Sequence, residues 1–318
     1  MIDVRCGHVL DELGKMPSDS VQCVVTSPPY WNLRSYLPDD HPDKPKELGL
    51  EDTPETFVAS LVDVFRAVRR VLRDDGTCWV NLGDSYAGAP GGEQGREGQR
   101  ASRTFTARIT KPKAGPGLKP KDLVGIPWRV AFALQADGWF LRSDIIWHKP
   151  NPMPESITDR PTKAHEYVFL LTKSARYFYD LESIREEPKP WNDGAMSAPK
   201  LGEHRKTDAY GQQTTKRYEV IKGANARTVW TIPSQPFPGA HFATFPEELP
   251  TRCIKAGSRP GDLVLDPFTG AGTTALVAIG LGRRFVGCEL NPEYAAMARA
   301  RVQNRVGIFA AAQKETGS

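Results

Sequence analysis

The amino-acid sequence predicts an α/β fold with a mostly parallel sheet, and three segments carry this prediction. Between residues 262 and 305, strand, glycine-rich loop, helix, strand and helix follow one another, as in parallel sheets with right-handed crossovers. Residues 21–26, VQCVVT, are short, apolar and β-branched, which is typical of a buried strand. Residues 54–73 carry apolar side chains at helical spacing, and Asp75-Gly76 ends that helix before a further strand.

The other elements follow from shorter runs of the same two periodicities. We predict strands at 3–6, 76–83, 139–148, 167–172, 262–268 and 284–290, and helices at 8–15, 122–136, 246–256, 275–281 and 292–305.

Two segments lack apolar periodicity and interrupt this pattern. Residues 88–121 contain eight basic and two acidic side chains, an excess of six, whereas the whole chain has a net charge of only +4. We interpret this part as a long insertion, and a phosphate-contacting loop and a solvated loop are equally compatible with its charge. Residues 186–228 are polar as well, with eight basic and six acidic side chains.

Composition excludes several classes of protein. No apolar run is long enough to cross a bilayer, and the N-terminus lacks a basic region followed by an apolar stretch, so we expect a cytoplasmic protein without a membrane partner. The five cysteines form no Cys-x-x-Cys pair, which favours buried reduced thiols. Cys6 and His8 alone are too few ligands for zinc, and we expect no metal.

A glycine-rich loop after the strand at 262–268 predicts a nucleoside-binding site. The segment Asp266-Pro267-Phe268-Thr269-Gly270-Ala271-Gly272 leads into a helix, where glycine allows close backbone approach and the helix start offers free N–H groups. Glu289 ends the next strand, 23 positions after Asp266, where a carboxylate can bind ribose hydroxyls. Residue 275 is Ala and no Gly-Lys-Ser/Thr follows, so neither a dinucleotide fingerprint nor a phosphate loop is present.

A second motif follows the strand at 21–26. Ser27-Pro28-Pro29-Tyr30 must leave the sheet, because proline cannot continue the ladder, and the carboxyl edge of a parallel sheet is where ligands bind. Proline carbonyls accept hydrogen bonds, and Tyr30 and Trp31 offer flat faces for stacking. A rigid pair of acceptors beside an aromatic ring suits an amino group on a planar base.

These motifs resemble those of the amino-group DNA methyltransferases of bacterial and phage restriction-modification systems. Ser27 to Tyr30 match their Asp/Asn/Ser-Pro-Pro-Tyr/Phe motif, the loop from Asp266 is similar to their cofactor motif, and residues 241–246 resemble the segment that walls the methionine pocket. The catalytic motif precedes the cofactor motif, as in the circularly permuted β group. One departure is Gly7-His8, where the family usually has Gly-Asp beside the adenine ring.

The resemblance implies a Rossmann-like, circularly permuted methyltransferase sheet of seven strands, one of them antiparallel, with residues 3–6 beside the strand at 284–290. It divides the chain into a catalytic half at 1–180, which includes the basic insertion at 87–120, a target-recognition region at 181–235 and a cofactor-binding half at 236–318. S-adenosylmethionine is the implied cofactor and double-stranded DNA the implied partner. A cognate restriction endonuclease and a homodimer are further expected partners.

The catalytic and cofactor-binding residues follow from the same match, whereas the DNA-binding residues follow from the basic insertion and from the position of Lys149 after a strand. The catalytic residues are Ser27, Pro28, Pro29 and Tyr30; the cofactor-binding residues are Asp266, Pro267, Phe268, Gly270, Gly272, Thr273, Glu289 and Phe245; the DNA-binding residues are Arg96, Arg100, Arg103, Arg108 and Lys149.

The predicted reaction needs a base that has left the duplex stack. We expect Tyr30 to stack on it through its ring face alone, without a part for its hydroxyl, while Ser27 Oγ and the Pro28 carbonyl accept from its amino group. Serine at position 27 is the family trend for cytosine N4, and adenine N6 is the alternative. An RNA or protein amide methyltransferase and an inactive DNA-binding protein are further alternatives.

Some side chains near these motifs have two interpretations. Asp84 either lines the pocket or caps a turn, and His148 and Lys149 either contact the flipped base or DNA or form a rim pair. The tryptophans are expected in the core rather than in contact with DNA: Trp31, Trp79, Trp128, Trp139 and Trp147.

Overall fold

The computed structural model describes residues 2–88, 117–187, 205–207, 213–215, 223–235 and 244–315. Contacts divide the chain into two units, a larger one of residues 1–180 and 228–318 and a smaller one of residues 181–227. The predicted arginines Arg96, Arg100, Arg103 and Arg108, and residues 241–243, lie outside the described residues.

A twisted sheet forms the larger unit, and its described strands number eight. Their bounds are β1 Ile2–Cys6, β2 Val21–Thr26, β3 Leu72–Leu82, β4 Phe140–His148, β5 His165–Thr172, β8 Val229–Thr231, β9 Leu263–Asp266 and β10 Arg284–Glu289. The strand order is β1-β10-β9-β2-β3-β5-β4-β8. Only β5 runs antiparallel to its neighbours among these strands, and β1 lies beside β10 as the sequence predicts.

The prediction of seven strands was one strand short. The additional strand, β8, pairs in parallel with the edge strand β4 and has only three residues. A strand this short shows no periodicity, and it falls within the predicted target-recognition region at 181–235. Contacts group it with the larger unit.

Six helices cover the described sheet. Their bounds are α1 Val9–Gly14, α2 Pro54–Val71, α3 Ile126–Ala136, α4 Glu248–Gly257, α5 Thr273–Gly280 and α6 Pro292–Glu315. α2 begins at a capping box in which Thr53 Oγ1 accepts from the Thr56 N–H at 3.1 Å, with Pro54 in the first turn. α3 begins at Ile126 rather than at residue 122, because Gly125 takes a left-handed conformation (φ 78°) and both Gly125 and Ile126 donate backbone N–H groups to Asp84.

The core lies on both faces of the sheet. Cys78, Val80 and Leu82 of β3 pack under α2 and α3, while Trp79 on the opposite face lies against α4. At Gly257 a Cβ would come within 2.2 Å of Thr77 Oγ1, so α4 reaches the sheet only because this residue has no side chain. This close approach fixes α4 against the strands that carry the site.

Four of the five cysteines are buried and free, as predicted, whereas Cys6 at the end of β1 is exposed. Burial raises the pKa of the Cys23 thiol to about 12, so it stays protonated. None of the described helices is long and apolar enough to cross a membrane.

The smaller unit contains β6 Arg205–Thr207 and β7 Gln213–Thr215, which pair antiparallel. Glu186 and Ala224 form an antiparallel bridge, and Arg227 donates to the Glu186 carboxylate at 2.6 Å. These contacts hold the two ends of residues 181–227 together.

Candidate active site

A cavity of about 1140 Å³, part of it open to solvent, lies where β2, β9 and β10 end. Because these strands are parallel, their carboxyl ends meet at one edge of the sheet. The cavity brings together both predicted motifs: it is lined by Ser27, Pro28, Pro29, Tyr30, Phe245, Asp266, Pro267, Phe268, Gly270, Thr273 and Glu289.

Asp266 ties the catalytic motif to the glycine loop. It is 2% exposed, and its carboxylate accepts from Thr26 Oγ1 at 2.7 Å, from Thr274 Oγ1 at 2.7 Å and from the Phe268 N–H at 3.0 Å. Burial raises its pKa to about 6, although these donors favour the ionised form. The residue lines the cavity, and through these bonds it holds the end of β2 beside the glycine loop.

Glu289 presents a carboxylate to the cavity. Its Oε2 accepts from the Gly270 N–H at 2.8 Å and its Oε1 from the Asn291 N–H at 2.9 Å. Each oxygen can accept a further bond. Burial raises the pKa of Glu289 to about 7, because it disfavours the ionised carboxylate. Further hydrogen-bond donors would stabilise that ionised form.

The two loop glycines have different functions in the structure. Gly270 lines the cavity in a left-handed conformation (φ 51°) and donates to Glu289. Gly272, predicted to bind the cofactor, is absent from the lining: a Cβ there would lie 2.9 Å from Ala298 Cβ, so its missing side chain allows α5 and α6 to pack closely. Sequence alone could not separate these reasons for glycine.

The opposite wall includes residues that the sequence analysis missed. Tyr36, Glu47 and Tyr294 line the cavity together with Gly7 and His8. The Tyr36 N–H donates to the buried Glu47 carboxylate, and the Tyr36 carbonyl accepts from the Asn291 side chain at 2.7 Å. The loop after the catalytic motif is therefore fastened to the start of α6, a contact between positions 255 residues apart that leaves no local sequence signal.

Tyr30 packs against β3 and uses its hydroxyl. At Gly83 a Cβ would come within 2.5 Å of Tyr30 Cε2, so the ring lies directly on the glycine. The hydroxyl donates to Glu166 Oε2 at 2.7 Å and accepts from Asn81 Nδ2 at 3.0 Å. Burial, together with the Glu166 charge, raises the Tyr30 pKa well above its usual range. The expectation that only the ring face matters was therefore incomplete.

Glu166 is the acidic residue that the sequence analysis overlooked. It is the second residue of the antiparallel strand β5, so it reaches the same edge as the carboxyl ends of β2 and β3. Besides Tyr30, it accepts from Asn81 Nδ2 at 2.9 Å and from the Lys149 ammonium. Burial raises its pKa, but the Lys149 charge and the three donors outweigh burial, and the net pKa is lowered.

Lys149 does not have the position expected of a phosphate contact. Its side chain is 21% exposed, pairs with Glu166 and lies 4.3 Å from the Trp147 ring centroid. An ammonium held by a buried carboxylate and an aromatic face has little freedom to meet DNA.

The structure also places the two other side chains that had two interpretations. Asp84 caps α3, and His148 Nδ1 lies 3.2 Å from Thr231 Oγ1 at the edge of the sheet. Of the tryptophans expected in the core, Trp128 is half-buried. The other four are buried: Trp31, Trp79, Trp139 and Trp147.

Comparisons with known proteins identify the family of the chain. A model of the DNA methylase family that groups N6 and N4 methyltransferases matches residues 21–300. The type II methyltransferase M.Cfr9I of Citrobacter freundii is 47% identical over 297 residues, which cover 93% of this chain and 86% of the relative. The type II methyltransferase M.SmaI of Serratia marcescens is 46% identical, over 94% of this chain and 90% of the relative.

Two solved structures share the fold. A putative DNA modification methylase of Thermus thermophilus, in complex with S-adenosyl-L-methionine, is 26% identical with a TM-score of 0.58 and covers 96% of this chain and 95% of its own. The cytosine-N4-specific PvuII DNA methyltransferase has a TM-score of 0.61, covers 97% of this chain and 91% of its own, and is 20% identical, so that likeness concerns the fold alone.

Proposed function

The chain belongs to the DNA methylase family of N6 and N4 methyltransferases, and we propose that it transfers a methyl group from S-adenosylmethionine to the exocyclic N4 of a flipped cytosine in duplex DNA. The observation that carries this proposal is the single cavity shared by the Ser27–Tyr30 motif and the Glu289 carboxylate. The Ser27 hydroxyl, which can accept from a base amino group, and the Glu289 carboxylate, which can accept from ribose hydroxyls, thus face the same space.

The cavity residues fit S-adenosylmethionine. The Glu289 oxygens can each accept one further hydrogen bond, from a ribose hydroxyl. Gly270 has no side chain and so leaves room beside them. Phe245, Pro267 and Phe268 supply apolar walls, and Tyr36 and Tyr294 supply aromatic ones. When bound, the cofactor supplies an electrophilic methyl group on sulfur.

The protein's own contribution to the chemistry is positioning and hydrogen bonding. Pro28 and Pro29 stiffen the turn that follows β2, so the Ser27 hydroxyl and the Pro28 carbonyl are fixed relative to the cavity. Tyr30 provides the ring on which the extruded base stacks. Acceptance of the amino hydrogens by Ser27 and Pro28 localises the nitrogen lone pair, which ring conjugation otherwise spreads.

Serine at position 27, which is the family trend for cytosine N4, favours cytosine over adenine, and a neutral acceptor also suits the cytosine ring. Cytosine N3 and O2 are acceptors on the edge next to the amino group, and a carboxylate at position 27 would repel them. Serine accepts from the amino group without that repulsion. Adenine N6 is the second candidate within the same family.

The test is to incubate the protein with unmodified genomic DNA and methyl-labelled S-adenosylmethionine, digest the DNA and identify the nucleoside by mass spectrometry. N4-methylcytosine supports the proposal. N6-methyladenine would refute the cytosine assignment, and a methyl group on a ring carbon would refute amino-group transfer. Parallel reactions with RNA and with protein substrate test those two alternative acceptors.

The variable segments are the proposed DNA contacts. The described part of residues 181–227 forms a separate unit, which suits the target-recognition region proposed for residues 181–235. The basic insertion at 87–120 would neutralise phosphates. A cognate restriction endonuclease and a homodimer remain proposals of the same kind, testable by co-purification and by sedimentation.

Cofactor affinity is expected to depend on pH through Glu289. Its pKa is about 7 in the free protein, and hydroxyl donors favour the ionised form, so binding should weaken as protons neutralise the carboxylate. We expect the dissociation constant of S-adenosylmethionine to be about tenfold higher at pH 6 than at pH 8. Calorimetry at both values measures it.

The matched variant for this prediction is Glu289→Gln. It should bind about 1–3 kcal/mol more weakly at pH 8 and show no step between pH 6 and 8. An unchanged pH step in Glu289→Gln would assign the titration to another group.

The basic insertion gives a prediction about salt. Replacing its four arginines at 96, 100, 103 and 108 by alanine should weaken DNA binding at all sequences alike. The slope of log affinity against log salt should flatten by up to roughly one unit for each lost phosphate contact. Fluorescence anisotropy on two unrelated duplexes over a salt series measures both quantities, and an unchanged slope would identify a solvated loop without phosphate contacts.

A further inference from the structure

A chain of hydroxyl groups joins Ser27 to a buried carboxylate. Ser27 Oγ lies 3.4 Å from the Tyr30 hydroxyl, to which it can donate, and the Tyr30 hydroxyl donates to Glu166 Oε2 at 2.7 Å. When the Ser27 proton points toward Tyr30, the Ser27 lone pairs are free to accept from a base. One hydroxyl group, that of Tyr30, therefore separates the carboxylate from Ser27 Oγ, the atom expected to meet the amino group.

Asn81 fixes the direction of this chain. Its Nδ2 donates to Glu166 at 2.9 Å and to Tyr30 at 3.0 Å, and it lies 3.5 Å from Ser27 Oγ. Because the amide presents only donors to the cluster, the Tyr30 proton has to be directed at Glu166. Asn81 is 3% exposed, which holds this arrangement away from water.

Charge at the end of the chain is set by lysines. Lys149 contacts the carboxylate directly, and its burial beside Trp147 keeps the pair together. Lys163, whose ammonium donates to the Asp84 carbonyl at 2.9 Å, and His165 also act electrostatically on this carboxylate. Burial lowers the pKa of both His165 and Lys163, whereas Lys149 is in direct contact with the carboxylate and supplies the adjacent positive charge.

We propose that Ser27, Tyr30 and Glu166 form a proton relay that carries the proton released by the methylated amino group to the buried carboxylate. The relay rests on the proposed transfer to a base amino group. Transfer forms one N–C bond and breaks one S–C bond, whose electron pair stays on sulfur, so the nitrogen is left with a surplus proton. That proton passes to Ser27 Oγ, the Ser27 proton to the Tyr30 oxygen and the Tyr30 proton to Glu166, which becomes a neutral carboxylic acid.

The relay explains how a neutral serine accepts effectively from the amino group. A hydrogen bond that ends in an ionised group is stronger than a neutral one, and successive bonds polarise each other. The anionic Glu166 therefore strengthens Ser27 as an acceptor without a charge next to the base.

The test compares rate constants of single-turnover methyl transfer to unmodified DNA. Glu166→Gln keeps the size of the side chain but loses the charge, and transfer should slow on the order of 10²-fold. Tyr30→Phe breaks the relay in its middle and should slow it by a similar factor, although the stacking ring is kept. Glu166→Asp, which restores the charge, should recover part of the rate, and DNA and cofactor dissociation constants should change less than about threefold.

The pH profile separates a relay from a purely structural role. Glu166 is ionised above its pKa, which is already lowered, so the wild-type rate should fall only in acid solution. Lys149→Gln removes the charge that outweighs burial, so the pKa of Glu166 should rise and the acid limb of the rate should move toward neutral pH. Lys149→Arg should restore the wild-type profile. In Glu166→Gln, the fall of the rate that protonation of Glu166 causes in acid solution should be absent.

Glu12→Gln is the matched control. Glu12 is also a buried glutamate, at 7% exposure, and it pairs with Lys15 at 2.6 Å, but it is not one of the residues that line the cavity. Its rate and pH profile should equal those of the wild type, and thermal unfolding of each variant checks that the fold is intact.

Two results would overturn the relay: a transfer rate in folded Glu166→Gln within twofold of wild type, or an acid limb of Lys149→Gln that coincides with the wild-type limb. If the wild-type protein methylates an exocyclic amino group and either result is found, the relay is refuted and the proposed function stands. A wild-type product without an exocyclic methyl group refutes the proposed function itself.

Discussion

Replacement of Ser27 by alanine is expected to slow methyl transfer about 30- to 1000-fold, equivalent to about 2–4 kcal/mol, as for the loss of one hydrogen-bonding group that stabilises a transition state. The Ser27 hydroxyl lines the cavity and can accept from the amino group as the nitrogen becomes more acidic during transfer. An interaction that strengthens in the transition state affects the rate far more than binding. Dissociation constants for cofactor and DNA should therefore change little.

Single-turnover transfer of labelled methyl groups measures this effect, with binding measured separately by calorimetry and anisotropy. Ser27→Thr, which keeps a hydroxyl, is the matched variant and should retain more activity than Ser27→Ala. A loss in Ser27→Ala that appears wholly in DNA affinity would contradict the assignment, because Ser27 would then bind the ground state and the transition state equally.

Replacement of Trp79 by alanine is expected to lower the free energy of unfolding by about 3–5 kcal/mol, the range for large aromatic side chains in a core. Trp79 is 1% exposed on β3, and its ring centroid lies 6.3 Å from that of Trp230 and 6.4 Å from that of Tyr179. Its indole N–H donates to Thr77 Oγ1 at 3.1 Å, so a buried hydrogen bond is lost together with the packing.

Urea denaturation followed by circular dichroism measures this loss. Phe132 on α3 is 56% exposed, and Phe132→Ala serves as the control, with an expected change below about 1 kcal/mol. A comparable cost for the two substitutions would show that the packing of Trp79 on this face of β3 contributes little.

Several features of this protein could be read directly from the sequence. β2 spans Val21–Thr26 as predicted, because a short β-branched run bounded by Ser20 and by prolines has few other conformations. α2 ends at Val71, two residues before the predicted end, because Leu72 is already extended. The two motifs at the edge of the sheet were also identified locally, since each consists of neighbouring residues.

Features that depend on strand direction could not be read in this way. The run YVFLLT predicts a strand but not its orientation, because periodicity is the same in both directions. The antiparallel orientation of β5 brings Glu166 beside Tyr30, 136 positions away, and brings it within reach of Lys149. With a parallel strand, Glu166 would lie at the opposite edge of the sheet.

The sequence by itself therefore determined the class of fold, the position of the glycine loop and that of the Ser27–Tyr30 motif, because each is evident from residues close in the chain. Only the tertiary structure decided which contacts individual glycine, aspartate and lysine residues make. Gly272 packs against Ala298, Asp84 caps α3, and Lys149 neutralises Glu166. A side chain of a given type can fill several of these roles, and the choice among them depends on which distant residue the fold places within about 3 Å of it.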